Sequence, residues 1–183
     1  MERVETELEG PILLAPAVHA DARGFFAETF REDLWRAAGV TESFVQDNHS
    51  RSRQGTLRGM HYAVEPGQAK LIRCARGEIF DVALDLRRGS PSFGRWEGVL
   101  LDDRELRQLY VPVGFAHGFC VTSEVADVVY KCSNYYDPAT ERTIAYDDPD
   151  VHIDWPALDH IVSERDTDAP RLADVADELP FRF

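Results

Sequence analysis

Between residues 57 and 70 the chain reads "LRGMHYAVEPGQAK", which places Arg58, His61 and Lys70 on two neighbouring segments. Histidine has an ordinary pKa near 6.5 and is the side chain best suited to take a proton at neutral pH. Arginine presents a planar fork of donors that fits phosphate, whereas lysine is a compact point charge with a tunable pKa. The chain holds two lysines, Lys70 and Lys131, against eighteen arginines. A lysine kept where arginine is the usual cation points to work that arginine cannot do.

Other polar residues widen the set. If "TLRGMHYA" is a strand, Leu57, Gly59, His61 and Ala63 share one face, and the small neighbours leave the imidazole room at a cavity wall. His117 in "PVGFAHGF" shares its face with Phe115 and Phe119, which equally suits a hydrogen-bonded core histidine. Tyr130 lies between Val129 and Lys131, where the pattern alone favours a core tyrosine. "QDNHSRS" (46–52) sets polar side chains along a strand, and those facing an interior need partners that a polar ligand can supply.

Three classes compete for these residues. In a metal cupin, "PVGFAH" would be the PxGxxH corner, with His61 and Glu65 as further ligands. Ala63 stands where the second imidazole of an HxH pair belongs, however, and Glu65 precedes "PG" in a turn. Fewer than three well-placed ligands do not fix a catalytic metal, so no metal site is expected. The second class is a metal-free site with a histidine base, an orienting carboxylate, an opposing tyrosine acid and a lysine on negative oxygen. The third is a sugar-binding module without chemistry. Composition and spacing leave the last two open.

These side chains need a scaffold, and the chain reads as short strands broken by turn residues. "EIFDVALDLR" alternates with period two, placing Phe80, Val82, Leu84 and Leu86 on one face. Asp81 and Asp85 fall on the other face, read here as solvent-facing. "RWEGVLL", "LYVPVGFAHGFCV" and "ADVVYKCSNYY" are further strands, and only 31–39 and 169–181 look helical. Many strands and little helix predict an all-β sandwich or small barrel, able to hold one small ligand. A length of 183 residues suits a single domain. Cys74, Cys120 and Cys132 are odd in number and widely spaced, and read as buried free thiols in a reducing cytoplasm. The charged start "MERVETELEG" lacks a signal-peptide core, and no apolar run is long enough for a membrane span. A net charge of −13 argues against nucleic acid and anionic membranes as partners, without excluding one phosphorylated ligand in a basic pocket.

Seven stretches, in order along nearly the whole chain, resemble the dTDP-4-dehydrorhamnose 3,5-epimerase family of metal-independent cupin-fold enzymes. They are "DARGFFAE", "FVQDNHSRSRQGTLRGMHY", "GQAKLIRCARGEIFDVALDLRRGSPSFGRW", "VPVGFAHGF", "YKCSNYYDPATE", "DDPDVHIDWP" and "SERDTDAP". The resemblance implies a jelly-roll (double-stranded β-helix, cupin) fold with short terminal helices. It places His61 on the general base, Asp166 on its paired carboxylate, Tyr130 on the acid at the opposite sugar face, and Lys70 beside the 4-keto oxygen. Arg23, Glu28, Gln46, Asp47, Asn48, Arg58, His117 and Glu141 match ligand-contacting positions, and Phe26 and Tyr136 match aromatic ones. Arg165 stands where the family commonly has lysine, replacing a point charge by a fork.

The implied chemistry explains those residue types. In a 4-ketohexose, carbons 3 and 5 flank the carbonyl and carry the weakly acidic C–H groups. Removing either proton gives an enolate whose oxygen a preorganised cation stabilises. Inversion then needs a proton from the opposite face, and tyrosine, with a pKa near 10, keeps its own until the enolate takes it. The resemblance implies a dTDP-4-keto-6-deoxyhexose substrate, no cofactor, and a homodimer in which the N-terminal strand packs on the partner. A one-centre 3- or 5-epimerase is the alternative product outcome, and a non-catalytic sugar-binding cupin the alternative class.

Overall fold

Short runs of alternating apolar and polar residues, each closed by turn formers, favour strands joined by tight connections. The computed structural model, which describes residues 1–183, is built in that way. In chain order come β1 (Glu2–Val4), β2 (Ile12–Ala15), β3 (Val18–Asp21), β4 (Gly24–Ala27), β5 (Gln46–Arg53), β6 (Leu57–Ala63) and β7 (Lys70–Arg76). They are followed by β8 (Glu78–Asp85), β9 (Trp96–Asp102), β10 (Gln108–Val111), β11 (Phe115–Val121), β12 (Val125–Cys132) and β13 (Glu141–Thr143). Helix α1 (Glu32–Ala37) precedes β5, and α2 (Glu164–Thr167) and α3 (Leu172–Val175) lie near the C-terminus. The strands form two antiparallel sheets, ordered β1-β2-β10-β7-β12-β5 and β13-β6-β11-β8-β9, while β3 and β4 make a separate hairpin. This is the expected all-β jelly-roll, or cupin, architecture.

Both helical expectations hold in shortened form, as α1 within 31–39 and as α3 within 169–181. Helix α2 is an addition to them. Its signal lies in "SERD": Ser163 occupies the N-cap, and its hydroxyl accepts the backbone N–H of Asp166 at 3.2 Å.

Three apolar clusters hold the sheets in place. The largest fills the space between them with Leu13, Ile72, Leu109, Phe115, Phe119 and Val128. A second covers the outer face of the five-stranded sheet, where Leu172 and Leu179 pack on Met60, Tyr62, Val82 and Leu84. A third seats Trp35 of α1 on Ile12, Leu14 and Leu71, on the outside of the six-stranded sheet. At roughly 25 cal/mol per Å² of apolar area removed from water, such covering layers supply much of the folding drive.

The second cluster corrects one expectation. Because the C-terminal segment covers the apolar face of β8, the face bearing Asp81 and Asp85 looks into the sandwich. Both carboxylates are fully buried. Asp85 is satisfied by the Arg87 guanidinium at 2.8 Å and by the hydroxyls of Ser90 and Ser92, each at 2.7 Å. The interior is thus divided: apolar near β2, β10 and β9, and polar between β5, β12 and β7 on one wall and β13, β6 and β11 on the other. No helix is long and apolar enough to cross a membrane.

Candidate active site

A β-bulge sets up one wall of the polar half. His117 of β11 pairs with His61 of β6, but Phe119 pairs with Arg58, so the register slips by one residue between them. Two positions apart on one strand match three on the other, which turns both Arg58 and His61 toward the interior. Leu57, expected on the face of His61, instead lies opposite Cys120. A Cβ on Gly59 would stand 2.5 Å from Gly118 Cα, so the bulge requires glycine for close backbone approach.

The bulge also sets His61 against a carboxylate. His61 Nε2 lies 2.7 Å from Asp166 Oδ1, and the Gly59 backbone N–H donates to Asp166 Oδ2 at 3.3 Å. With Nε2 held by the carboxylate, Nδ1 is the imidazole nitrogen free to take a proton. Asp166 is 3% exposed. Burial alone raises its pKa, but the hydrogen bond and charge of His61, with Gly59 and Ser163, more than offset this and leave it below the usual carboxylate value. Arg58 is steadied by the Ser52 hydroxyl, which accepts from its Nη2 at 3.1 Å. A cavity of about 410 Å³ joins Arg58, His61, Arg165 and Asp166.

The opposite wall is read from strand register. One row across β5, β12 and β7 is Gln46, Cys132, Lys70; the next is Asn48, Tyr130, Ile72. Lys70 is 8% exposed. Burial drives its pKa down, against the attraction of Cys132, Glu141 and Asp81, and no hydrogen bond steadies the ammonium. Burial likewise raises the Tyr130 phenol, helped by Cys132, while the Asn48 amide beside it pulls the other way. Cys132 is pushed up to about 11 by its own burial and stays a neutral thiol. Tyr130 and His61 therefore face each other from opposite sheets. Beside His61 on its sheet, His117 Nε2 is held by both oxygens of buried Asp81, each at 3.0 Å.

The mouth carries Tyr136, Glu141 and Arg165. Arg165 Nη1 donates to Glu141 Oε2 at 2.7 Å and Nη2 to Thr143 Oγ1 at 3.2 Å, which aims the guanidinium along the rim. A histidine–carboxylate pair and a tyrosine on opposed walls, a buried free lysine on the tyrosine's wall and guanidinium groups at the entrance suit proton transfer on an anionic substrate.

The family model for dTDP-4-dehydrorhamnose 3,5-epimerase matches residues 5–174. The chain belongs to that family. A dTDP-4-dehydrorhamnose 3,5-epimerase from Shigella flexneri is 46% identical over 176 residues, covering 95% of this chain and 97% of that protein. The dTDP-6-deoxy-D-glucose-3,5-epimerase of Legionella pneumophila, in complex with dTDP-4-keto-L-rhamnose, superposes with a TM-score of 0.96 at 43% identity, covering 100% of this chain and 98% of that one. A 3'-monoepimerase from Streptomyces bikiniensis, in complex with dTDP-quinovose, gives 0.89 at 39% identity, covering 94% and 88%.

Of the residues assigned by likeness to the epimerase family, the fold gathers His61, Asp166, Tyr130, Lys70, His117, Arg58, Gln46, Asn48, Glu141, Arg165 and Tyr136 around the polar interior and its mouth. Asp47 is not among them: strand alternation turns it outward, where Lys131 Nζ donates to it at 2.9 Å. Arg23 and Phe26 line a separate concavity on the β3–β4 hairpin, and Glu28 lies just beyond it, 3.6 Å from Arg31. The pair missed by the sequence reading is Asp81 with Cys132. Alternation alone sends Asp81 to solvent. Cys132 reads only as a buried thiol, although its place two residues after Tyr130 fixes it on the same face.

Proposed function

We propose that residues 1–183 form a single cupin-like epimerase domain that inverts carbons 3 and 5 of a dTDP-4-keto-6-deoxyhexose without a cofactor. The observation that carries this reading is the His61–Asp166 pair on one sheet, opposed by Tyr130 and the buried, unpaired Lys70 on the other. His61 Nδ1 takes the proton from a carbon beside the carbonyl, and the C–H electrons move to the carbonyl oxygen as the enolate forms. Asp166 steadies the imidazolium through Nε2–H, and the Lys70 ammonium stabilises the enolate oxygen. The Tyr130 phenol then protonates the same carbon from the opposite face. Solvent returns a proton to the tyrosinate and takes one from the imidazolium, which closes the balance. Repetition at the second carbon gives the double inversion. Arg58 and Arg165 are placed to meet the diphosphate.

The hairpin supports a homodimer. Phe25 is 61% and Phe26 69% exposed, an apolar tip with no intramolecular cover. A second copy is the occupant that would also carry Arg23 and Phe26 toward a nucleotide. Three buried free thiols fit a reducing cytoplasm.

Proton NMR of the purified protein with dTDP-4-keto-6-deoxyglucose in D2O tests the reading. Loss of both ring proton signals with formation of the doubly inverted product is expected, and His61→Ala should abolish exchange at both carbons while remaining folded. Exchange at neither carbon in the wild type would establish a binding module instead, and inversion at carbon 3 alone a one-centre enzyme.

A further inference from the structure

The polar chain from the mouth to Tyr130 has one possible direction. A backbone N–H can only donate, so the Tyr136 N–H, 2.8 Å from Gln46 Oε1, fixes which end of the Gln46 amide faces outward. Gln46 must then turn Nε2 inward, where it donates to Asn48 Oδ1 at 3.1 Å. With its oxygen engaged, Asn48 directs Nδ2 deeper, and one of its hydrogens reaches Cys132 Sγ at 3.6 Å. A primary amide nitrogen has two hydrogens, so one donor remains. Asn48 is the direct ladder partner of Tyr130, and directly opposed side chains on one sheet face stand within contact.

We propose that Asn48 is a positioning residue whose second N–H donates to the Tyr130 phenol oxygen, so that the phenol hydrogen is turned off the strand and toward the substrate. This rests on the epimerase reading and deepens it. A phenol rotating freely against Asn48 could spend its hydrogen on the wall. One that already accepts there has its proton left for the enolate, and the same N–H stabilises the tyrosinate formed by transfer. The downward pull of Asn48 on the phenol pKa agrees in sign. Gln46 and Cys132 hold the amide in the required sense, and the Tyr136 N–H sets that sense from the mouth loop. Asn48 thereby determines how completely the Tyr130-dependent carbon is inverted, while the His61–Asp166 pair and Lys70 govern whether exchange occurs.

The test uses Asn48→Ala and Asn48→Asp. The second keeps the shape but, ionised, offers only acceptors and draws the phenol hydrogen to itself. Deuterium incorporation, product configuration, kcat and KM are followed together in D2O with dTDP-4-keto-6-deoxyglucose. Inversion at the affected carbon should fall by about 10²-fold or more relative to the exchange measured in the same variant, approaching the ratio seen in Tyr130→Phe. Adding Asn48→Ala to Tyr130→Phe should cost no more than a further factor of about three, because the two act as one unit. Equal loss of exchange and inversion with a raised KM would overturn the proposal and make Asn48 a substrate contact; unchanged inversion in Asn48→Asp would overturn it as well. Failure of the epimerase reading itself is seen separately, in a wild type that exchanges neither proton.

Discussion

Replacing Asp166 by asparagine preserves shape and removes one acceptor, and the cost can be worked from the geometry. The carboxylate has a donor on each oxygen: His61 Nε2 at 2.7 Å and the Gly59 N–H at 3.3 Å. An amide can satisfy only one. With its NH2 toward Gly59, two donors face each other in a buried site, which costs about 1–3 kcal/mol. Turned the other way, the NH2 donates to His61 Nε2, forces the proton onto Nδ1, and leaves the substrate facing an imidazole nitrogen that cannot accept. Productive orientation therefore carries the donor–donor penalty. Loss of the charge-assisted hydrogen bond to the imidazolium adds about 1.5–3 kcal/mol. Together these give roughly 2.5–6 kcal/mol, and at 1.36 kcal/mol per decade the rate should fall by about 10²–10⁴-fold. Deuterium wash-in at carbons 3 and 5, measured by NMR on Asp166→Asn with thermal unfolding as the control for folding, reads the effect directly. Wash-in within tenfold of wild type would refute the reasoning. The same pair gives a pH signature in stability. The carboxyl pKa is lowered on folding from its ordinary 3.8, so its contribution is present above that pH and is lost as the solution is acidified through the folded value. The stability gap between wild type and Asp166→Asn should narrow below about pH 4.

Lys70→Met should raise stability while lowering turnover by about 10²–10³-fold, because it removes a buried cation to which the proposed mechanism gives the enolate oxygen. Since the folded lysine binds its proton less well than the unfolded one, wild-type stability should climb toward pH 10 and the Met variant should not; each kcal/mol gained appears as about 2–4 °C in Tm. Tyr130→Phe should keep His61-driven wash-in and lose inversion, and a wild-type ratio of the two in the variant would remove the phenol from the mechanism. EDTA should leave turnover unchanged, because no three His, Cys, Asp or Glu side chains are arranged to hold a metal; stoichiometric metal by elemental analysis with activity lost on chelation would reverse this.

The fold was readable because period-two alternation and turn residues speak strand by strand. Alternation does not tell which face meets water. In β8 the apolar face carrying Val82 and Leu84 is covered from outside by Leu172 and Leu179, so Asp81 and Asp85 are the interior residues, against the solvent-facing expectation. The bulge in β6 was equally hidden: simple alternation groups His61 with Leu57, and only the pairing with β11 reveals that Arg58 is its neighbour in the cavity. Alternation did contain the answer for Asp47, whose parity differs from Gln46 and Asn48, but likeness to the family overrode it. Helix α2 was also legible, since "SERD" places a capping serine three residues before the carboxylate it orients. Arg23, Phe26 and Glu28 lie on and beside a hairpin set apart from the polar interior, and no pattern in the sequence announces that separation.

The bulge has a meaning in the currency of insertions and deletions. In an unbroken ladder, residues two apart share a face, so a chain one residue shorter here would still present both the guanidinium and the imidazole inward. The extra residue is therefore redundant for aiming side chains. It alone contributes a backbone N–H released from the ladder and given to Asp166 at 3.3 Å. Excising Gly59 should be tolerated far better than changing it to alanine, whose Cβ would strike Gly118. The shortened chain would keep every functional side chain and lose a single main-chain donor. The strand has, in effect, given one peptide group to the His61–Asp166 pair, and its length records that transfer.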